Sequence, residues 1–359
     1  MKNYKIVLLS GDGIGPEISE IAKKIIYKLS EKSNFNIHIQ EESFGGIAYE
    51  KYGDPAPQRT IEQCKSSDAI LLACVGDYKY DALSREYKPE TGLLKLRSEL
   101  ELFANIRPVK IREPLIKASS LKKEIVKDVD LVVVRELTGG IYFGEPRGII
   151  EIKDQKRGFN TMTYSSSEIE RITNIAIKIA EKRDKKICSI DKANVLEVSQ
   201  LWRNTVKQIS FKYPEISFSD MYVDNAAMQL VRNPSQFDVI LTNNLFGDIL
   251  SDLAAMLTGS IGMLPSASLN NNGPGLFEPI HGSAPDIAGK DIANPIAMVL
   301  STAMLFRIGL NELKAADIIE SSVDKVLLDG YRTADLKDEN CKNISCSEMG
   351  EKILKGLEF

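Results

Sequence analysis

Asp248 and Asp252 stand four residues apart in Phe246–Thr258, whose apolar stripe of Ile249, Leu250, Leu253 and Leu257 predicts a helix ended at Gly259. Like charges at that spacing cost an isolated helix about 0.2–0.5 kcal/mol. Asp248 can serve as a helix-start residue, but Asp252 lies past the first turn with no Lys or Arg at helical spacing. A divalent cation removes the conflict, and carboxylates with waters suit Mg2+ or Mn2+. Asp224, closing the run Phe218–Val223, is the natural third carboxylate. The alternative is a pair of solvated helix acids and an N-cap.

Three arginines lie in unusually apolar surroundings. Arg97 follows Leu93-Leu94-Lys95-Leu96, Arg107 follows Leu102–Ile106, and Arg135 ends the aliphatic run Leu131–Val134. The guanidinium fork suits carboxylates, so the three together point to a substrate carrying more than one. For each alone the competing reading is a pair with a nearby acid, such as Glu99, Glu101 or Glu136. Leu93 and Leu94 precede Arg97 by four and three residues and share its helix face. Either they meet an alkyl group beside the carboxylates, or they are core.

Lys192 and Tyr142 are candidates for proton transfer. Lys192 ends the run Ile187–Ile190 among apolar neighbours, where desolvation would lower its pKa toward a usable base. Asn194 with Glu197 reads as a capping pair opening the next helix. Tyr142 lies in the glycine-rich loop Thr138–Glu145; either residue alone could equally be structural. The long loop Phe277–Gly289 reads as functional. Within it His281 could stack on or bond a base, and Asp286 could hold a ribose diol. A charge there repels a ribose phosphate, favouring NAD over NADP.

These groups need a scaffold. The chain has 359 residues, which suggests two domains. Apolar residues at 43% and charged residues at 27% exclude a disordered or collagen-like chain. A net charge of −4 without a basic block leaves no footprint for nucleic acid. Two histidines exclude a several-His metal site, and five cysteines, an odd number, indicate a reducing, cytoplasmic setting. The run Ile6–Leu9 is too short for a signal peptide or a membrane span. The runs Ile6–Leu9, Ile70–Ala73, Leu131–Val134, Ile187–Ile190 and Val239–Leu241 predict buried, mostly parallel strands. Between or after them Ile18–Leu29, Ser165–Glu181, Asn294–Ile308 and Ala315–Leu328 predict helices, so the class is α/β. The candidate groups follow the carboxyl ends of the strands, where ligands bind such sheets. The turn Gly11-Asp12-Gly13-Ile14-Gly15 has the wrong spacing for a dinucleotide fingerprint and reads as a strand-to-helix turn.

Taken together these segments resemble the β-hydroxyacid oxidative decarboxylases, the family of isocitrate and isopropylmalate dehydrogenases. The likeness is carried by Gly11–Glu17, Pro89–Arg97, Ala104–Val109, Arg135–Pro146, Asp191–Val195, Asp220–Met228, Asn244–Asp252, Gly259–Ser268 and Glu278–Pro295. It implies two α/β domains around a central mixed sheet, not a classical Rossmann fold. Residues 1–103 and 260–359 would form a discontinuous cofactor-binding first domain, and 104–259 a central domain with the metal ligands and the dimer interface. The resemblance implies that Arg97, Arg107 and Arg135 hold the malate carboxylates and that Asp224, Asp248 and Asp252 hold Mg2+ or Mn2+. Lys192 would be the base and Tyr142 the acid, with Lys192 and Asp224 reaching into the active site of a second copy in a homodimer. Glu90, Leu93 and Leu94 would recognise the substrate side chain. Glu278, His281, Gly282, Ser283, Ala284, Pro285, Asp286, Ile287 and Asn294 would bind NAD.

The implied activity is oxidative decarboxylation of 3-isopropylmalate to 2-oxoisocaproate, a step toward leucine. The alternatives are a sister enzyme acting on isocitrate, homoisocitrate or tartrate, and a Mg-nucleotide-binding module without redox chemistry. The sequence departs from the family's Gly-Gly-Pro turn at Val75-Gly76-Asp77-Tyr78, a loop that borders the cofactor in relatives.

Overall fold

The computed structural model describes residues 2–336 and 338–359. The chain folds into two compact units, Met1–Leu102 with Ile111–Lys123 and Ala255–Phe359, and Phe103–Lys110 with Glu124–Ala254. The segment 111–123 groups with the first unit although it lies inside the range expected for the central domain.

In the first unit five strands run in the order Phe35–Glu41, Lys2–Gly11, Ala69–Cys74, Gly275–Pro279 and Pro265–Leu269. Every neighbouring pair is parallel except the last. Ala69–Cys74 is buried along its whole length, as its unbroken apolar run requires. Helix Gly15–Lys32 starts with Pro16 and Glu17 in its first turn, the arrangement suited to a helix N-terminus. Helix Ile296–Met304 is buried on all sides and continues into a π turn at Leu305–Gly309.

In the second unit the order is Ala104–Lys110, Asp130–Glu136, Val239–Thr242, Lys186–Asp191 and Ser217–Tyr222. Here the first pair is antiparallel and the others parallel. Ser165 and Glu168 cap helix Ser166–Ala180 reciprocally. Helix Asn244–Ala255 follows its strand after one residue, and at its end the chain passes back to the first unit through a 3-10 turn, Met256–Thr258, and Gly259 in the left-handed region. A hairpin, Gly148–Ile152 with Gln155–Phe159, stands apart from these strands with Ile149, Ile150 and Ile152 exposed.

The expected Asn194–Glu197 cap does not form. Helix Glu197–Ser210 begins behind Leu196 with no side-chain cap. The turn is held from the preceding strand instead. Asp191 accepts from Ala193 N–H at 2.8 Å, and Arg203 Nε and Nη2 each donate to its carboxylate at 2.8 Å.

Candidate active site

In the second unit the strand Ala104–Lys110 brings Arg107, and the strand Asp130–Glu136 brings Arg135, against the helix carrying both aspartates. Arg135 is 2% exposed, and its Nη1 donates to Asp248 Oδ1 at 2.5 Å. Arg107 donates through Nε to Asn105 Oδ1 and through Nη1 to Ser251 Oγ, both at 2.7 Å. Its Nη1 also reaches Asp252 Oδ1 at 3.3 Å, and its Nη2 lies 3.5 Å from Asp248 Oδ1. Tyr142 hydroxyl donates to Asp248 Oδ2 at 3.0 Å. Two buried cations, one phenol and two carboxylates one helical turn apart therefore share one locus.

The local-acid alternative for these arginines fails in an informative way. Glu136 is fully buried, but it pairs with Arg171 at 2.9 Å and accepts from Gly139 N–H at 2.8 Å. Asp252, without a cationic partner at helical spacing, finds Arg107 from a different strand.

Electrostatics shifts two of these groups. Burial first, then the charge of Asp248, pushes the Tyr142 hydroxyl above its ordinary value, so it keeps its proton at neutral pH. Burial also raises Asp252, against the lowering pull of Arg107.

Lys192 and Asp224 form a separate pair, Nζ to Oδ1 at 2.8 Å, with the Asp224 side chain 61% exposed. Lys192 is thus a partly exposed ion-pair member rather than a lysine desolvated among apolar neighbours, because the strand end opens beside Tyr222 and Asp224. The Lys192 hydrogen bond is the main cause that lowers Asp224. Within one chain Asp224 does not join Asp248 and Asp252. Among the described residues the metal-type group whose ligand atoms lie within 4.8 Å of one another is Glu17, Asp291 and Cys346.

In the first unit helix Pro89–Glu99 carries Glu90, Leu93, Leu94 and Arg97. Arg97 is buried and pairs with Glu278 at 2.7 Å, while Glu99 pairs with Lys65. Leu93 leans on the core and Leu94 is half-buried. Glu90 is exposed beside Gly76, where an added Cβ would lie 2.6 Å from its Oε1.

The departing loop is tied down by its own contacts. Asp77 accepts from Lys79 N–H at 3.1 Å, and Glu50 accepts from Lys79 Nζ at 2.8 Å and Tyr80 hydroxyl at 3.0 Å.

A pocket of about 330 Å³ opens among Ile14, Gly262, His281, Ile287, Asn294 and Asp335. Gly282 and Ala284 also line it. Ser283 turns to donate to Gly76 carbonyl at 2.5 Å, Glu278 is taken by Arg97, and Asp286 stays exposed. His281 Nδ1 lies 2.8 Å from Gly282 carbonyl, while its buried Nε2 has no partner. With Nδ1 donating, Nε2 is an acceptor. Asp335 accepts from Asn294 Nδ2 at 2.9 Å and from Ser260 hydroxyl at 2.5 Å. Asp335, Asn244 and Ser251 escaped sequence reading because they follow no periodic pattern; for Asn244 the one signal was its place just past a strand end.

Burial holds the His281 pKa below its ordinary 6.5. An unfolded His titrates at about 6.5, so the unfolded chain takes up this proton first and stability declines as pH falls through that value. His281→Gln is expected to flatten the thermal midpoint against pH between about pH 7 and 5. Identical slopes in melting scans would contradict this.

Over residues 5–353 the chain matches the model of the isocitrate/isopropylmalate dehydrogenase family. It is 73% identical over 354 residues to 3-isopropylmalate dehydrogenase of Prochlorococcus marinus strain MIT 9312, covering 99% of each chain. It is 60% identical over 357 residues to that of Synechococcus sp. strain CC9902, covering 99% of this chain and all of the relative. Among solved structures it resembles the crystal structure of isocitrate dehydrogenase from Methylococcus capsulatus, with TM-score 0.88, 35% identity and 99% of each chain covered.

Proposed function

The chain belongs to the isocitrate/isopropylmalate dehydrogenase family, and from that premise we propose that it oxidises and decarboxylates 3-isopropylmalate with NAD, giving 2-oxoisocaproate. The observation that carries the reading is the convergence of Arg107, Arg135 and Tyr142 on Asp248, one turn from Asp252. Leu94 favours an alkyl side chain over the third carboxylate of isocitrate.

The residues present fit both absent groups. Asp248 and Asp252 offer the oxygen donors that Mg2+ or Mn2+ takes, with Asp224 of a second copy as the third. The unpartnered acceptor His281 Nε2, with Asn294 and Ile287, suits the adenosine half of NAD. When bound, the cation supplies Lewis acidity at the substrate hydroxyl and its neighbouring carboxylate, and the nicotinamide supplies a hydride acceptor.

The chain's own residues supply the rest. Arg107 and Arg135, side by side in the second unit, hold substrate carboxylate. Arg135 is already aligned by its fixed contacts, so little orientation is lost on binding. Lys192, released from its pair with Asp224 and in its neutral amine form, would take the proton of the substrate hydroxyl. Tyr142, protonated at neutral pH, returns a proton to the carbon left by carbon dioxide.

A homodimer completes the proposal. The second unit exposes Val195, Met228, Val231 and Ile249 besides the isoleucines of its hairpin, apolar side chains that a second copy would cover. Lys192 and Asp224 would then serve a neighbour's aspartates. No helix among the described residues is long and apolar enough to cross a membrane, and the five cysteines are unpaired, which supports a reducing cytoplasm.

The binding-module alternative finds no support. A Cβ on Gly11 would lie 1.8 Å from Cys74 carbonyl and one on Gly13 2.0 Å from Ser283 carbonyl, so these glycines serve close chain packing rather than a phosphate cradle.

Absorbance at the NADH band with 3-isopropylmalate, NAD and Mn2+ tests the function; turnover of isocitrate but not 3-isopropylmalate would overturn it. Leu94→Gln is expected to lower kcat/KM for 3-isopropylmalate roughly 10–100-fold while leaving malate little changed. Equal losses on both would remove Leu94 from substrate recognition.

A further inference from the structure

Asn244 opens the helix that carries Asp248 and Asp252, and it is fully buried. Its side-chain oxygen accepts from Arg135 Nε at 3.0 Å and Nη2 at 2.7 Å. Its side-chain nitrogen donates to Leu137 carbonyl at 2.8 Å and Gly139 carbonyl at 3.1 Å. Its backbone N–H donates to Tyr164 hydroxyl at 2.9 Å. An amide has two lone pairs and two N–H groups, and here all four are engaged.

The two halves of that amide face two parts of the chemistry. On one side the guanidinium of Arg135 is gripped through Nε and Nη2 while Nη1 reaches Asp248. On the other, the Leu137 and Gly139 carbonyls begin the loop that delivers Tyr142 to the other oxygen of Asp248. The floor of that loop is the Tyr164 ring. A Cβ on Gly139 would lie 2.5 Å from the ring, and one on Gly140 2.7 Å from its hydroxyl.

We propose that Asn244 is a positioning residue that couples Arg135 to the Tyr142 loop, so that guanidinium and phenol meet Asp248 in one fixed arrangement. This rests on the reading of Tyr142 as the proton donor. Aspartate at 244 could accept from Arg135 but would turn an oxygen toward two carbonyls. Leucine could do neither, and serine is too short to serve both sides.

Asn244→Asp tests the coupling because it keeps the shape while removing both donations to the loop and presenting Arg135 with a charged acceptor in place of a neutral one. It is expected to lower kcat about tenfold or more and to turn linear NADH formation into a burst followed by a slow phase, since oxidation precedes the proton return. Tyr142→Phe is expected to give the same burst. The double variant should be within about twofold of Tyr142→Phe alone, because both changes remove one step. Calorimetry with substrate and Mg2+ but no dinucleotide is expected to show about tenfold weaker binding in Asn244→Asp, as Arg135 turns to the new carboxylate. Unchanged NAD binding shows that the variant folds. If it does not fold, Asn244→Ser carries the same cycle, since its hydroxyl can serve Arg135 or the loop but not both.

Losses that multiply in the double variant, or a kcat for Asn244→Asp within about twofold of the parent, overturn the coupling while leaving the reading of Tyr142 intact. Unaltered substrate binding likewise removes the Arg135 arm. A fully active Tyr142→Phe overturns that reading and the proposal with it.

Discussion

Replacing Asp248 with Asn is expected to lower kcat roughly 10³-fold. Its carboxylate balances two guanidinium groups, of Arg135 at 2.5 Å and Arg107 at 3.5 Å, and accepts the hydroxyl of Tyr142 at 3.0 Å. The amide removes the negative charge and offers one acceptor oxygen where two are used. One of its N–H groups would then face either Arg135 or Tyr142, both already donors. The same substitution removes an oxygen ligand, so Mn2+ binding followed by electron paramagnetic resonance should weaken alongside turnover. Asp252, more exposed and with one longer contact, should cost less when replaced by Asn. Full turnover in Asp248→Asn, or undiminished Mn2+ binding, would remove Asp248 from the chemistry.

The difference between the two aspartates shows what the sequence could and could not convey. That Asp248 and Asp252 share a helix face is a property of local periodicity, legible wherever an apolar stripe is present. The cations that meet them come from strands more than a hundred residues earlier, and side-chain pairing across that distance leaves no local trace. The arginines stood out because each interrupts apolar sequence, but the acids they meet are not the near neighbours that the competing reading offered. Arg97 instead reaches Glu278, and Glu136 belongs to Arg171.

Strands and helices were legible for the same local reason. The strand runs and the main helices lie where continuous or periodic apolar residues put them, and differences gather at ends, as at Leu196, where packing chose the helix start. The family resemblance rested on motifs at strand ends, and the match over residues 5–353 bears it out. The roles of single residues are a separate matter. Asn244 does its work by donating and accepting at once in a closed interior, a property of its surroundings rather than its spacing. Lys192 looked desolvated in sequence because its neighbours are apolar, yet its side chain leaves them for Asp224.

The proposed mechanism has Lys192 and Asp224 meet the aspartate pair of another copy, since they do not do so in their own. Two inactive chains, Lys192→Met and Asp248→Asn, measure this directly. Each alone should lose roughly 10²–10⁴-fold in kcat. Co-expressed or refolded together in equal amounts, half of the dimers should be mixed. Each mixed dimer then holds one site with Asp248 intact and an intact Lys192 donated across the interface. Activity should therefore recover to about one quarter of the parent's per chain. A mixture no more active than its components would show that base and aspartates act within one chain, and the split site would have to be abandoned.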